Sequence, residues 1–367
     1  MLRKSSRCAL LRRLGIGLFL ALLFAPAQRT TLSQDKKENT QERNRQTKPN
    51  LESRIPQDES THERGYTIGV NVDLVLMYAS VFDKSGHFVA GLKKDNFKLF
   101  EDGVQQTLTS FSQEDVPISL GILLDLSGSM KPKFEQVNKA ALAFIRASNP
   151  RDQVFLIGFN DEVELLQDYT SDIDEIADAL ENTIATGGTA LYDAIYLGTQ
   201  KAHTGSRPKK AIVVITDGED RDSYYKLDEL LAKVQESDVQ IFTVGFLDEV
   251  PDKGFFGRWS KSAPEKAHDA LLKISEETGG KAFFPTRLTD IHSIITEIAT
   301  DLRSQYSLAY FSNNSVRDGS FRRVKIELNG QGTSNISARY RRGYYAPKAS
   351  SQQPASDLPS GPGRALP

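Results

Sequence analysis

Four nearly continuous apolar runs, 118–124, 154–159, 211–215 and 239–246, constrain this chain more than any other feature. Runs this short and this apolar leave no polar face, so they read as strands covered on both sides, as in a mostly parallel sheet. Between them, apolar residues recur at helical spacing. Phe134, Val137, Ala141, Phe144 and Ile145 share one face, as do Leu227, Leu230, Leu231 and Val234. Ala270, Leu271 and Ile274 form a third stripe, and Ile291, Ile294, Ile295 and Ile298 a fourth. Strands alternating with helices predict a doubly wound, mostly parallel α/β unit flanked by helices, spanning 117–304.

The flanks have a different texture. Val70, Val72, Leu74, Leu76 and Tyr78 alternate with mostly polar or small neighbours, and Gly86 and Asp102-Gly103 mark turns around a strand at 97–100. After residue 303 the same texture returns in 306–311, then in Val324, Ile326 and Leu328, and in Ile336, Ala338 and Tyr340. Asp318-Gly319 and Asn329-Gly330 are the turn signals there,. Neither 66–116 nor 305–347 offers enough strands to stand alone. The two halves are therefore expected to pair into one small antiparallel β-domain that carries the α/β unit as an insertion.

At 367 residues the chain has room for two cores and for ends without one,. Residues 1–27 carry Arg3, Lys4, Arg7, Arg12 and Arg13 ahead of an apolar stretch at 14–24, then Ala25-Pro26-Ala27. That is the pattern of an export signal peptide, so a secreted or periplasmic protein is expected. The apolar stretch is shorter than the roughly 20 residues a spanning helix needs, and no stable membrane span is expected after cleavage. Residues 28–65 and 348–367 are polar and poor in residues to bury, and read as a disordered linker and a disordered tail. The one cysteine, Cys8, precedes the apolar stretch, leaving the folded part without disulfides,. With 46 basic and 48 acidic side chains, no nucleic-acid partner is expected,.

In doubly wound sheets, ligands sit beyond the carboxyl ends of the strands, where the winding reverses. Three segments leaving strands carry oxygen donors. The first strand runs into Asp125-Leu126-Ser127-Gly128-Ser129, where alternation turns one carboxylate and two hydroxyls the same way,. A later strand ends in Thr216-Asp217-Gly218, and Thr186-Gly187-Gly188-Thr189 leads into a helix. Taken singly, such fragments serve as helix caps or turns. Together they supply two carboxylates and three hydroxyls with no imidazole or thiolate. That set suits a hard divalent cation, Mg²⁺ first, with Mn²⁺ or Ca²⁺ also accommodated.

The pattern Asp125-x-Ser127-x-Ser129, Thr189 and Asp217 resembles the metal-ion-dependent adhesion site of von Willebrand factor type A domains. The resemblance covers roughly half the chain and includes Asp-Leu-Ser-Gly-Ser-Met, Thr-Gly-Gly-Thr-Ala-Leu-Tyr-Asp-Ala and Ile-Thr-Asp-Gly-Glu. It implies that Asp125, Ser127, Ser129 and Thr189 lie nearest the metal, with Asp217 acting through water. It further implies a protein partner whose Asp or Glu carboxylate fills the open coordination position. Metal occupancy would couple to movement of the last helix, 288–303. The flanking β-segments look like those of bacterial exported proteins related to this domain.

Several neighbours allow two readings. Asp193, four residues after Thr189, is placed to orient a metal-bound hydroxyl or water, or equally to serve as a helix-N-terminal acid. Glu219, Asp220 and Asp222 read as a solvated loop, the alternative being acids that recruit cations or repel wrong partners. Phe255, Phe256 and Trp259 are either aromatic anchors for a partner or rings capping the sheet edge. The five histidines are scattered, and His-Glu-x-x-His, Gly-x-Ser-x-Gly and phosphate-loop motifs are missing,. The expected function is thus metal-dependent adhesion-type protein binding and not catalysis. The alternative is a structural or assembly component of an envelope complex, with metal-assisted hydrolysis a distant third.

Overall fold

Regular structure starts with four strands, β1 (Leu74–Asp83), β2 (Phe97–Glu101), β3 (Val104–Gln106) and β4 (Leu108–Ser112). Asp102 and Gly103, both at positive φ, turn β2 back into β3, a conformation that an Asp-Gly pair tolerates well. The alternating unit follows: β5 (Ile118–Asp125), α1 (Phe134–Arg146), β6 (Gln153–Phe159), β7 (Val163–Thr170), α2 (Ile173–Glu181) and α3 (Leu191–His203). It continues with β8 (Lys209–Thr216), α4 (Leu227–Glu236), β9 (Gln240–Gly245), α5 (Ala263–Thr278), β10 (Ala282–Phe283) and α6 (Ile291–Ser304). Then come β11 (Tyr306–Phe311), β12 (Phe321–Leu328), β13 (Ile336–Tyr340) and β14 (Gly343–Tyr345). This computed structural model describes residues 73–146, 148–247, 261–330 and 333–348. The export segment 1–27, the linker 28–65, the tail beyond Lys348, and Phe255, Phe256 and Trp259 lie outside the described residues.

The central sheet has the order β10-β9-β8-β5-β6-β7. It is parallel except for β7, which runs antiparallel to β6. Every residue of β5 is buried. Ile118, Leu120, Ile122 and Leu124 pack with Val137, Phe144, Ile176 and Ile295, from α1, α2 and α6. On the opposite face, Leu123, Ile212 and Val214 pack with Ile195, Leu230 and Leu271, from α3, α4 and α5. Two helical layers therefore cover the sheet, which explains why its strands lack polar alternation. β7 and α2 escape the apolar-run reading because β7 is a partly exposed edge strand and α2 is only nine residues long.

Strands from both sides of this unit build two antiparallel sheets, β13-β1-β11-β4 and β14-β12-β2-β3. They share a core that includes Met77, Leu99, Tyr306, Leu308, Tyr310 and Val324. The expected face of β1 is reversed: Leu74 and Leu76 are 58% and 38% exposed, whereas Val75, Met77, Ala79 and Val81 are buried. Both sets are apolar, so alternation carried no sign. The register Met77↔Leu308 and Ala79↔Tyr306 decides which set faces inward,. Val70 and Val72 lie outside the described residues.

Buried polar groups fasten the β-domain to the α/β unit, where α6 runs into β11 through Gln305 alone. Asp301 on α6, with its side chain 4% exposed, accepts hydrogen bonds from Ser80 Oγ on β1 and from the Arg339 guanidinium on β13. Lys209, at the start of β8, is buried and donates from Nζ to the carbonyl of Leu302. Its ammonium also lies 5.0 Å from the Tyr78 ring centroid. Arg303 ties the same turn to Asp115 and Asp152 at 2.9 and 2.8 Å. Gly279, at φ 77°, ends α5, and a Cβ there would lie 2.5 Å from the Arg341 backbone nitrogen. That glycine serves both as a left-handed cap and as a point of close approach to the Tyr340–Arg341 backbone,.

Two outcomes follow for the junction. Asp301→Ala strands Arg339 beside a buried surface and should lower stability by about 3–5 kcal/mol in urea unfolding. Burial pushes Lys209 down from 10.5 to about 7, against the attraction of Asp301, Asp115 and Asp152. Below that value both states hold the proton and the burial penalty stands in full. Above it the folded state releases the proton first, so the unfolded state binds more protons and stability rises with pH. The stability difference between wild type and Lys209→Met should therefore shift in favour of wild type from about pH 6.5 to about pH 9. A constant difference across that range would count against the depressed value.

Candidate metal centre

The sheet order reverses at β5: the chain steps to β6 on one side, then returns to β8 on the other. The carboxyl ends of β5 and β8 therefore border the switch-point crevice, and Asp125 and Asp217 lie at or just beyond them,. Asp125 is 1% exposed. One carboxylate oxygen accepts the Ser127 backbone N–H at 2.8 Å, which tightens the turn, and the other accepts Thr216 Oγ1 at 2.6 Å. The turn brings Ser127 Oγ within 3.1 Å of Ser129 Oγ.

The Thr186–Thr189 loop is laced onto this turn. Thr186 N–H donates to Leu126 O at 2.7 Å, and Gly128 N–H donates to Gly187 O at 3.1 Å. Ser127, Ser129, Thr189 and Asp217 consequently line one cavity of about 290 Å³, together with Gly187, Gly188, Lys133, Glu219, Arg221 and Pro264. Asp125 is not among the lining residues; it is buried and joined to the cavity through its hydrogen bond from Ser127. Among the described residues, no group of three or more His, Cys, Asp or Glu gathers in metal-ligating geometry. Cation binding here would rest on two carboxylates aided by hydroxyls, a hard-oxygen set.

Burial pushes the Asp125 carboxyl up from its ordinary value, with the Asp217 charge adding to the rise, against hydrogen bonds from Ser127 and Thr216. Hydroxyl and amide donors alone thus leave the buried charge short of compensation. The rim is mixed: Arg221 is occupied by Glu219 at 2.6 Å.

Asp193 is engaged with the loop that follows β8. Its two oxygens accept the backbone N–H groups of Tyr224 and Tyr225, each at 2.9 Å. The acidic loop is likewise engaged. Asp220 accepts from Ser223 Oγ at 2.5 Å and Tyr192 N–H at 3.2 Å, and burial raises its carboxyl. Asp222 accepts Thr189 N–H at 2.8 Å, and Asp161, from the β6–β7 turn, accepts Gly188 N–H. The local sequence around Asp161 and Asp222 holds no signal for these contacts, which join loops 27 and 33 residues apart in the chain.

Residues 119–297 match the family model of the von Willebrand factor type A domain. Beyond this match to the family model, an uncharacterised protein of Synechocystis is 31% identical over 141 residues, 36% of this chain and 33% of that protein. The chain thus spans about a third of that relative's length. Integrin alpha-1 of Gallus gallus is 26% identical over 210 residues, covering 54% of this chain and 70% of the integrin sequence. Among solved structures, the vWF domain of the type V pili tip protein Mfa5 from Porphyromonas gingivalis is 12% identical. It covers 51% of this chain and 95% of its own, with a TM-score of 0.40. Among the described residues, no helix is long and apolar enough to cross a membrane.

Removing the buried charge separates its two effects in the type A domain. In chelator-treated protein, Asp125→Asn should raise the melting temperature, because an amide avoids the burial penalty of a carboxylate. Mg²⁺ or Mn²⁺ at about 100 times its Kd should stabilise wild type by about 2.7 kcal/mol but leave Asp125→Asn nearly unmoved. Equal metal-induced shifts in both proteins would argue against a role for Asp125 in cation binding.

Proposed function

We propose that this chain is an exported, metal-dependent binding module that captures a protein partner through an Asp or Glu carboxylate. Asp125, Ser127, Ser129 and Thr189 would hold the cation directly and Asp217 through water, with Mg²⁺ first and Mn²⁺ or Ca²⁺ as substitutes. The observation that carries this reading is one cavity lined by Ser127, Ser129, Thr189 and Asp217, with the buried Asp125 hydrogen-bonded to its Ser127. Two carboxylates roughly neutralise a divalent ion, and an octahedral shell retains room for an oxygen from outside. Lys133 on the same wall favours an acidic visitor, while Arg221 is already paired with Glu219.

The likeness to integrin alpha-1 over 54% of the chain supports adhesion as the class of function. The basic-then-apolar pattern of residues 1–27 supports a secreted or periplasmic location,. The cavity wall carries no imidazole or thiol to serve as base or nucleophile, which favours binding over hydrolysis.

A second reading, a structural part of an envelope assembly, draws support from α6. Its last turn is fastened to β1, β8 and β13 through Asp301 and Leu302. A helix held so firmly favours a fixed joint over a switch driven by its displacement.

Chelation distinguishes the two. The immobilised chain is exposed to envelope extract with Mg²⁺ or with EDTA, alongside Thr189→Ala and Asp217→Ala. Adhesion-type capture should vanish in EDTA and in Thr189→Ala, whereas an assembly joint with other contacts would only weaken. Capture indifferent to both EDTA and Thr189→Ala would sink the metal-dependent reading.

A further inference from the structure

The loop that presents Thr189 is gripped by two carboxylates that are not in the proposed ligand set. Asp222 pairs with Thr189 reciprocally: its side chain accepts Thr189 N–H at 2.8 Å, while its backbone N–H donates to Thr189 O at 3.1 Å. Arg221 N–H reaches the same carbonyl at 3.0 Å. One residue earlier, Gly188 N–H donates to the Asp161 carboxylate. Asp161 is itself set by a tight turn, in which Asn160 N–H donates to Glu162 O at 2.9 Å and Asn160 Oδ1 accepts Glu162 N–H at 3.0 Å. On the far side, Ala190 N–H donates to Asn160 O at 2.6 Å. The amides of 188, 189 and 190 are thus all engaged by two neighbouring loops. Together they fix the direction in which the Thr189 side chain leaves the backbone.

The two glycines of the loop supply the space this grip needs. Gly187 has φ +82°, and a Cβ there would lie 2.6 Å from one Asp161 oxygen. At Gly188 a Cβ would overlap the Asp222 carboxylate and lie 2.5 Å from the other Asp161 oxygen. Gly-Gly before Thr189 is therefore a packing requirement of the carboxylates as well as a flexible entry to α3.

We propose that Asp161 and Asp222 are positioning residues for the metal centre: by holding the Gly188 and Thr189 amides they aim the Thr189 hydroxyl at the cation. The proposal rests on the reading of Asp125, Ser127, Ser129, Thr189 and Asp217 as the cation's donors. Outer partners that orient a ligand typically contribute about 10- to 100-fold in metal affinity. An amide oxygen accepts the same N–H as a carboxylate, so asparagine preserves the aim and removes only the charge.

The test is calorimetric titration of the full chain with Mn²⁺. Asp161→Ala and Asp222→Ala should each weaken Mn²⁺ binding about 10- to 100-fold, while Asp161→Asn and Asp222→Asn stay near wild type. Gly188→Ala, which keeps both charges but displaces both carboxylates, should weaken binding like the alanine variants, with melting in EDTA confirming that each variant is folded. Wild-type affinity in the alanine variants would overturn the proposal, as would asparagine variants as weak as alanine, which would assign the effect to charge. Failure of wild type to bind Mn²⁺, or an Asp125→Ala variant that binds as wild type does, would instead overturn the donor set on which the proposal stands.

Discussion

Strand β5 is hydrogen-bonded to β6 on one edge and β8 on the other, and is covered by helices on both faces. Its last residue, Asp125, is therefore almost wholly buried, and its carboxylate takes its hydrogen bonds from the neighbouring loops. Ser127 and Thr216 supply two donors, and the Thr186–Thr189 loop is tied to the backbone of the same turn. The candidate centre is built outward from one buried charge whose surroundings are fixed by sheet pairing. A carboxylate in such a place is costly unless compensated, so a cation bound there would also order the turns around it.

The other end of the α/β unit answers a different demand. The β-domain contributes strands from both sides of the insertion, so the two chain crossings must lie close together. β4, which precedes the insertion, and β11, which follows it, are antiparallel neighbours with Ser307 opposite Ser112. The polar groups trapped where α6 meets β11 find partners in Ser80, Arg339 and Lys209. A buried pair of this kind specifies how two surfaces meet more than it adds to stability.

The sequence made the doubly wound sheet, its covered strands and the accompanying antiparallel sheets legible, because a strand buried on both faces cannot avoid a continuous apolar run. The strand-end fragments were legible for a related reason: parallel strands end on one side, so donors following them share that side. The face of β1 was not, since Leu74 to Ala79 is apolar in both registers and only pairing with β11 chooses between them. Asp161 and Asp222 were also hidden. Each looks like an ordinary loop acid, and its contact with the Thr189 loop exists only once β6 and β8 flank β5. Lys209 was hidden in the same way, as one of two adjacent lysines at the head of an apolar run, with no sign of which is buried.

The register of β1 against β11 has a mechanical meaning. Leu74 lies opposite Phe311 and Ala79 opposite Tyr306. The chain preceding residue 74 thus leaves one end of the pair, while the link to the α/β unit leaves the other. A pull applied between the start of β1 and the start of β11 would slide these strands lengthwise past each other. In that direction the hydrogen bonds of the ladder share the force and fail together, whereas peeling from one end would break them singly.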